Sequence, residues 1–273
     1  MFKAFKYRLY PTAPQAEKIN QNIGCARFVY NHLLDDRIKV WKETKQLSTK
    51  TYSLLKEEHG FLKEVDSRAL KHAQANLDEA YEKFKKEPNI GYPKFKSKHK
   101  CRWSYTTDNN NGTVRFDGNR LRLPKVGYVK IVEHRQHERR ILTATISHER
   151  SGEYYASVLC EVEHPEPLPV TDKVIGIDLG LHDLIVCSYG ERVEAPKHFR
   201  KSEQKLAKRQ RVFSKTKKGS KGHENARLKV ARCHQKIKNQ RNDFSSKVVH
   251  QTHSRKSSDL FGRPFRQRHG TKP

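Results

Sequence analysis

The residues with the clearest capacity for chemistry are an aspartate and the two glycines near it in the sequence Gly176-Ile177-Asp178-Leu179-Gly180. A carboxylate at the end of a buried strand, with glycines beside it, can approach a phosphate and hold a divalent cation. Two-metal nucleases use such acids to hold ions about 4 Å apart, where the ions stabilise the attacking and leaving oxygens. The alternative is an aspartate that caps a tight turn, and the pentapeptide by itself favours neither.

A second candidate is the lysine-rich segment from Gly91 to Lys100, which Arg102 and Trp103 follow closely. Aromatic residues alternate there with lysines, and this combination suits phosphate contact together with base stacking. The alternative is an exposed loop with a single aromatic anchor. The segment therefore favours nucleic-acid binding by a small margin.

The charge of the chain indicates a polyanionic partner. Its 273 residues include 57 Lys and Arg against 30 Asp and Glu, a formal net charge of +27. Like charges repel one another in the compact state, and phosphate backbones are the usual partner that offsets this repulsion. Residues 197–273 hold 24 of the basic residues and 4 of the acidic ones, which predicts a dedicated electrostatic surface in the last third.

Composition argues against a secreted, membrane or small-metabolite protein. The chain lacks the run of about 18 apolar residues that a transmembrane helix needs, and its start lacks the apolar region of a signal peptide. The five cysteines are scattered and form no CxxC pair, which argues against a disulfide framework and against a structural zinc site within this chain. The expected compartment is the bacterial or archaeal cytoplasm, including the nucleoid.

The first hundred residues predict a strand and two helices. Residues 2–10 alternate, with apolar side chains at the odd positions from 5 to 9. Thr12 and Gln15 form a capping-box signature, and apolar residues at helical spacing extend from there to about Trp41. A second helix begins near Ser67 and ends before the prolines at 88 and 93.

From about residue 103 the hydrophobic period changes to two. A hairpin at residues 140–163, with a turn at Ser151-Gly152, follows three short β-rich runs at 112–116, 120–123 and 128–132. Together with the first strand, these runs predict a small β-barrel interrupted by a helical insertion. Prolines at 165, 167 and 169 mark the boundary to the next part of the chain.

The last part predicts a short sheet and two basic helices. Residues 173–180 form a nearly continuous apolar run that ends near Asp178, which is typical of a fully buried central strand. Residues 183–189 and 191–195 predict two more strands. A flexible linker at 216–223 joins two helices into an antiparallel hairpin with a narrow apolar seam. Because the hairpin is almost purely positive, contact with a duplex backbone is favoured over a solvated surface.

These motifs together resemble the TnpB (OrfB) family of bacterial insertion sequences, a relative of type V CRISPR effectors. The resemblance lies in short motifs that occur in the family's order. The matching motifs are residues 5–11 with Gln15, 24–31, 92–96, 123–127, 176–180 and 239–244. Each motif is weak alone, but together they span about residues 3–250 and make the match specific.

The resemblance implies an α+β fold. A small, wedge-like β-barrel at residues 1–10 and 100–168 would carry a helical recognition insertion at 11–95. A partial RuvC-type, RNase H-like α/β domain would follow at 171–252, and a divergent tail at 253–273. Within that domain, the strands are expected at 173–195 and the basic helical hairpin at 197–250.

The resemblance also implies a function. In the family, a guide RNA pairs with target DNA beside a short motif, so that base pairing sets specificity while the protein reads shape and the motif. The reaction is Mg²⁺-dependent, RNA-guided DNA cleavage, and Asp178 corresponds to the first catalytic acid and Mg²⁺ ligand. Motif position and charge predict the residues that bind nucleic acid. They are Lys3, Lys6, Arg8, Arg27, Asn31, Lys94, Phe95, Lys96, Lys125, Lys217, Lys218 and Arg241.

The sequence departs from the family pattern after about residue 249. A full member continues into a strand ending in a catalytic Glu, a zinc ribbon and a last catalytic Asp, whereas Asp259 is the only acid here. We therefore expect a chain that binds guide RNA and DNA without cutting, for instance as a guided transcriptional repressor, and an exposed edge along the apolar run. Two alternatives stay open: a nuclease completed by a separately encoded C-terminal fragment, and a remnant of an insertion sequence without function.

Overall fold

The protein is described from a computed structural model. The described residues are 1–132, 140–163, 176–180 and 182–254. They fall into two compact units, Met1–His164 and Pro165–Pro273. Three predicted features lie outside the described residues, namely the proline boundary at 165–169, the start of the predicted strand at 173–175 and the tail from 255 to 273 with Asp259.

The described part of the first unit combines seven strands with three α-helices. The strands are β1 (Phe2–Tyr10), β2 (Trp103–Asp108), β3 (Arg115–Asp117), β4 (Arg120–Leu123), β5 (Gly127–Ile131), β6 (Ile141–His148) and β7 (Tyr154–Glu161). The helices are α1 (Ala13–Thr44), α2 (Tyr52–Glu58) and α3 (Ser67–Lys86), with a 3₁₀ turn at Gly60–Lys63. Sequence patterns predicted both long helices and six of these strands to within a few residues, but assigned no strand at β2 and missed α2.

The seven strands form one antiparallel sheet in the order β2-β6-β7-β1-β5-β4-β3. The first strand lies in the middle, where Tyr7 pairs with Ala156 of β7 and Leu9 with Ile131 of β5. Among the described residues, β2 and β3 form the two ends of this order. Closure of the sheet into a barrel therefore stays a prediction.

Helix α1 begins at a capped end that also contacts the sheet. The side-chain oxygen of Gln15 accepts the N–H of Thr12 at 3.0 Å, as the capping-box signature predicts. The same amide donates to the carbonyl oxygen of Tyr128 at 2.8 Å. The first turn of α1 is thus fixed to strand β5, and this contact orients the helix on the sheet.

One face of the sheet and the inner sides of α1 and α3 share a single hydrophobic core. The predicted inward residues of β1 are buried, with exposures of 7% for Phe5 and 2% for both Tyr7 and Leu9. On the helices, Leu34 and Leu70 are fully buried in the same core. Each such side chain contributes about 1.5–3 kcal/mol by leaving water.

In the second unit, the described residues form a small sheet and two helices. Strands β8 (Ile177–Asp178), β9 (Asp183–Cys187) and β10 (Arg192–Glu194) pair in the order β10-β9-β8. Helices α4 (His198–Lys215) and α5 (Lys221–Ser254) pack against each other. No helix in the described part of either unit is long and apolar enough to cross a membrane.

Two details of the second unit differ from the sequence-based expectation. The prediction of a fully buried central strand is wrong at its described end, because Ile177 is 47% exposed and β8 pairs with β9 alone within the described ranges. At Ile177 the structure agrees instead with the exposed edge that the departure from the family pattern predicts. The predicted seam of the hairpin divides into two clusters. Cys233 and Ile237 pack with Leu206 of α4, whereas Val248 packs with β9.

Candidate nucleic-acid interface

The face of the sheet opposite the core carries basic and aromatic side chains. Along β1, Lys6, Arg8 and Tyr10 alternate with the buried apolar residues and are exposed to solvent. Because successive side chains of a strand point to opposite faces, these three share one surface. The sequence predicted Lys6 and Arg8 as nucleic-acid contacts, and the structure places them side by side.

The strand register extends this surface across β5, β4 and β3. Tyr10 pairs with Lys130, and Lys130 pairs with Arg120. Two residues away from Lys130 on β5, Tyr128 pairs with Arg122, which in turn pairs with Arg115. Directly paired residues of neighbouring strands point to the same face, so both rows lie on the exposed side of the sheet.

We call this surface the open sheet face. It consists of Lys6, Arg8, Tyr10, Arg115, Arg120, Arg122, Tyr128, Lys130 and Tyr155. Among the described residues, two carboxylates lie next to its cations: Asp117 lies beside Arg120 in the register, and Glu153 pairs with Arg8 at 3.0 Å. The surface is therefore strongly positive, with three tyrosines among six cations.

Cations and rings touch one another across this face. The Nζ of Lys6 lies 4.2 Å from the ring centre of Tyr155, and the guanidinium of Arg8 lies 5.1 Å from that of Tyr10. Arg115 donates to the hydroxyl of Tyr128 at 2.7 Å. Such contacts hold the long basic side chains against the sheet and reduce the entropy that binding would otherwise cost.

A second basic site is a cavity of about 340 Å³ between α1, α3, β2 and the segment that precedes β2. Arg27, Lys96 and Arg102 contribute the cations of its lining, and His72 and Asn76 contribute polar groups from α3. His72 is held by Asp108 at 2.5 Å. Arg27 and Lys96 were both predicted from the sequence as contacts, and Arg102 follows the lysine-rich segment that the sequence indicated. His72 and Asn76 were not assigned to a site.

Asn31 positions the chain at this cavity. Its amide donates to the carbonyl oxygen of Lys96 at 2.9 Å and accepts the N–H of Lys96 at 2.8 Å. The ammonium of Lys96 lies 3.8 Å from the ring centre of Tyr30, and burial lowers the pKa of Lys96. Both polar ends of the Asn31 amide are thus engaged by the protein, which makes it a positioning residue in this structure.

The other predicted contacts in the first unit lie apart from these two sites. Lys3 occupies an odd position of β1 and therefore points to the same face as the buried core residues of that strand. Its Nζ lies 5.8 Å from the ring centre of Phe5. Lys94 and Phe95 are exposed in the segment before β2. Lys125 is exposed in the β4–β5 turn, where it adopts a left-handed conformation with φ 62°.

In the second unit, the predicted contacts occupy distant parts of the helical hairpin. Lys217 and Lys218 are exposed in the turn between α4 and α5, and Arg241 is exposed on α5. At 1.5 Å per residue, Arg241 lies about 30 Å along the helix axis from the start of α5. The structure therefore does not bring these residues together into one contact.

Asp178 lies at the end of β8, paired with Val186, and is exposed. Within the ranges that the structure describes, no group of three or more His, Cys, Asp or Glu side chains could hold a metal ion. A Mg²⁺ site of the two-metal type needs several carboxylates around the ions. The described residues therefore do not fit such a site by themselves, because they bring no three such side chains together at Asp178.

Gly180 is required by a close backbone approach near Asp178. A Cβ at Gly180 would lie 2.8 Å from the carbonyl oxygen of Asp183, whereas one at Gly176 would lie 3.5 Å from the Cβ of Ser188, an ordinary contact.

We expect Gly180→Ala to raise the amide exchange rate of Ser188, which donates to Gly176, by roughly tenfold. Gly176→Ala is the matched control, and an equal effect in both variants would contradict this explanation.

Comparisons with known proteins give two family matches. A model of the OrfB/IS605 family described as a helix-turn-helix domain matches residues 1–46. Another model of that family, described as a probable transposase, matches residues 157–255. In the structure, the first of these segments consists of β1 and the single continuous helix α1.

Three curated relatives are similar in sequence. A "Putative RNA-guided DNA endonuclease" of Streptomyces pristinaespiralis is 36% identical over 90% of this chain and 63% of its own length. The "Putative RNA-guided DNA endonuclease InsQ" of Escherichia coli is 27% identical over 90% of this chain and 62% of its own length. "Virulence protein VsdF" of Salmonella dublin is 33% identical over 36% of this chain and 96% of its own length. The chain spans about three fifths of the first two relatives.

A solved structure is also similar in part. A chain in the cryo-EM structure of a CRISPR-Cas12f ternary complex matches 88% of this chain and 59% of its own length. The TM-score is 0.39 and the sequence identity is 11%. A TM-score this low does not establish a shared fold.

Proposed function

Because this chain belongs to the OrfB (TnpB) family of insertion-sequence transposases, we propose that it binds a guide RNA and the DNA that this RNA selects. The observation that carries the proposal is the open sheet face, on which six cations and three tyrosines lie on neighbouring strands. A polyanion that neutralises these cations releases counterions and gains affinity from their release. Both partners would place the protein in the cytoplasm, at the nucleoid.

Three cations of the open sheet face are available for phosphates. Within the described part of the chain, Arg120, Arg122 and Lys130 make no ion pair with a carboxylate. Many other lysines of the protein are already neutralised, as Lys83 is by Glu79 at 2.6 Å and Lys247 by Asp243 at 2.8 Å. The unpaired cations leave a positive field at the sheet that attracts a phosphate backbone, and we assign the guide RNA to this surface.

We assign target DNA to the basic cavity between the helices and the sheet. Arg27 and Arg102 offer guanidinium groups, and the exposed amide of Asn76 lies beside them. Arginine pairs well with the edge of guanine and asparagine with that of adenine. These side chains suit recognition of a short DNA motif next to the sequence that the guide selects.

We also propose that this polypeptide alone binds DNA rather than cutting it. Asp178 is exposed and would supply one carboxylate to a Mg²⁺ site, and the partner carboxylates would have to come from another segment or another polypeptide. Mg²⁺, when bound, would stabilise the attacking and leaving oxygens at the phosphate. A bound but uncut target would be blocked to other proteins, which corresponds to a guided repressor.

The proposal is tested by purifying the chain from cells of its source at moderate salt and sequencing the RNA that comes with it. We expect one dominant RNA that maps beside the gene or to one end of its element. Bulk ribosomal and transfer RNA alone would indicate a basic protein without a guide. DNA that is cut when the purified complex receives Mg²⁺ and a matching target would contradict binding without cleavage.

A further inference from the structure

Two tyrosines of the open sheet face, Tyr10 and Tyr128, lie outside the hydrophobic core of the protein. Tyr10 is 42% exposed and Tyr128 is 38% exposed, and both project from the side of the sheet opposite the core. Tyrosine is common in strands because it packs well on a pleated surface. Here the immediate neighbours of the two rings in the register are cations, namely Lys130 beside Tyr10 and Arg122 beside Tyr128.

We infer that the open sheet face binds an unpaired stretch of RNA, with bases stacked on Tyr10 and Tyr128 and phosphates held by Arg120, Arg122 and Lys130. This inference rests on the proposed function and specifies its ligand at this surface as a single strand. An aromatic ring stacks on any base, and basic groups around it hold the backbone, so the site would be tolerant of sequence. Four-stranded sheets of other RNA-binding modules use surface aromatic residues in this manner.

The spacing of the rings favours a single strand over a duplex. Tyr10 pairs with Lys130, and Lys130 is two residues from Tyr128, so the two tyrosines are diagonal neighbours about 7–8 Å apart. Bases that remain stacked in a helix are about 3.4 Å apart along a strand. Two neighbouring bases can therefore meet both rings only if they leave their stack, which unpaired nucleotides do readily and paired ones do not.

The cations next to the rings leave room for a base. The guanidinium of Arg8 lies over one side of Tyr10, with its centre 5.1 Å from the ring centre. Arg115 meets Tyr128 at the hydroxyl group, with its guanidinium 5.9 Å from the ring centre. A base that stacks on the other side of Tyr10 would complete a sandwich of guanidinium, ring and base.

The test compares leucine and phenylalanine at both positions. The probes are a labelled 12-nucleotide RNA without self-complementarity and the duplex that it forms with its complement. For the double variant Tyr10→Leu, Tyr128→Leu, we expect affinity for the single strand to fall by about tenfold or more per ring, because each lost stack weakens binding. Affinity for the duplex and the salt dependence of single-strand binding should stay unchanged. The control Tyr10→Phe, Tyr128→Phe keeps the rings and should bind within about twofold of the native chain.

The outcomes separate this inference from the proposed function. Stacking on these rings would be overturned if the leucine variant lost equal affinity for the single strand and the duplex. It would also be overturned if the phenylalanine variant lost as much single-strand affinity as the leucine variant. Unchanged binding in the leucine variant, together with weaker binding in Arg122→Gln, Lys130→Gln, would also overturn it but leave the proposed function standing. A native chain that binds neither probe would refute both. Trp41 and Trp103 fluorescence during urea unfolding checks that each variant remains folded.

Discussion

Replacing Asp66 with alanine is expected to lower the free energy of unfolding of the first unit by about 2–4 kcal/mol. Asp66 is 6% exposed and caps helix α3, since its carboxylate accepts the N–H of Arg68 at 3.0 Å. Its other oxygen accepts the hydroxyl of the fully buried Thr107 at 2.5 Å. Alanine removes the cap and also leaves the Thr107 hydroxyl without its acceptor.

Three buried polar residues meet at this point. The N–H of Asp66 donates to the side-chain oxygen of Asn22 at 3.0 Å, so the network links α1, α3 and β2. Burial and the nearby Asp66 carboxylate also raise the pKa of Tyr105. Because the basic cavity is built from the same three elements, loss of the network should also loosen the cavity.

The measurement is urea unfolding followed by tryptophan fluorescence. Both tryptophans of the chain, Trp41 and Trp103, lie in the first unit, so the signal reports on that unit alone. Asp66→Asn is the matched control, since it keeps the shape and one oxygen acceptor and should lose less than half as much stability. A loss below about 1 kcal/mol for Asp66→Ala, or equal losses for both variants, would contradict the role assigned to this carboxylate.

Replacing the six cations of the open sheet face with glutamine is expected to give the largest change in RNA binding. The positions are Lys6, Arg8, Arg115, Arg120, Arg122 and Lys130. Each phosphate contact to a single strand contributes about 0.7 to the slope of log affinity against log salt. For six contacts, the slope should therefore become shallower by about 4. When salt is raised from about 50 to 200 mM, both chains lose affinity for RNA. The factor by which the variant loses affinity should be smaller than that of the native chain by roughly a hundredfold or more.

A control variant removes the same amount of charge from cations that carboxylates already neutralise. These cations are Lys39, Lys50, Lys83, Lys86, Arg227 and Lys247. Both variants have the same net charge, so a difference between them identifies a surface rather than the total charge. The prediction would be wrong if the two variants showed the same salt dependence.

The sequence predicted the open sheet face only along β1. Alternation in residues 2–10 is sufficient to place Lys6 and Arg8 on one face, because the side-chain period of a strand is fixed. Arg120, Arg122 and Lys130 alternate in the same manner, but their membership of the surface depends on the register of β5 against β1. That register is set by long-range pairing and by the turn at Lys125, neither of which local patterns determine.

The sequence did not predict the basic cavity, but it named two of its cations as nucleic-acid contacts. The charge and motif position of Arg27 and Lys96 indicated both residues, yet the partner of Lys96 is Asn31, 65 residues away. No local sequence pattern indicates a hydrogen bond between residues that far apart in the chain. His72 and Asn76 lie four residues apart on α3, at the spacing of one helix face, and this signal could have indicated a polar site.

In the second unit, helical periodicity predicted both helices but not what each packs against. The apolar positions of α5 continue at steps of three or four to Val248, which implies one seam along the hairpin. The structure instead packs Val248 with Ile185 and Cys187 of β9. Periodicity identifies the buried side of a helix, whereas the element that covers it depends on tertiary contacts.

The most direct test of the account is to crosslink bound RNA to the native chain with ultraviolet light and to identify the crosslinked residues by mass spectrometry. We expect crosslinks at β1 and along β4 and β5, above all at Tyr10 and Tyr128, and their loss in the variant without the six cations. Crosslinks confined to the second unit, with none on the open sheet face, would contradict the account.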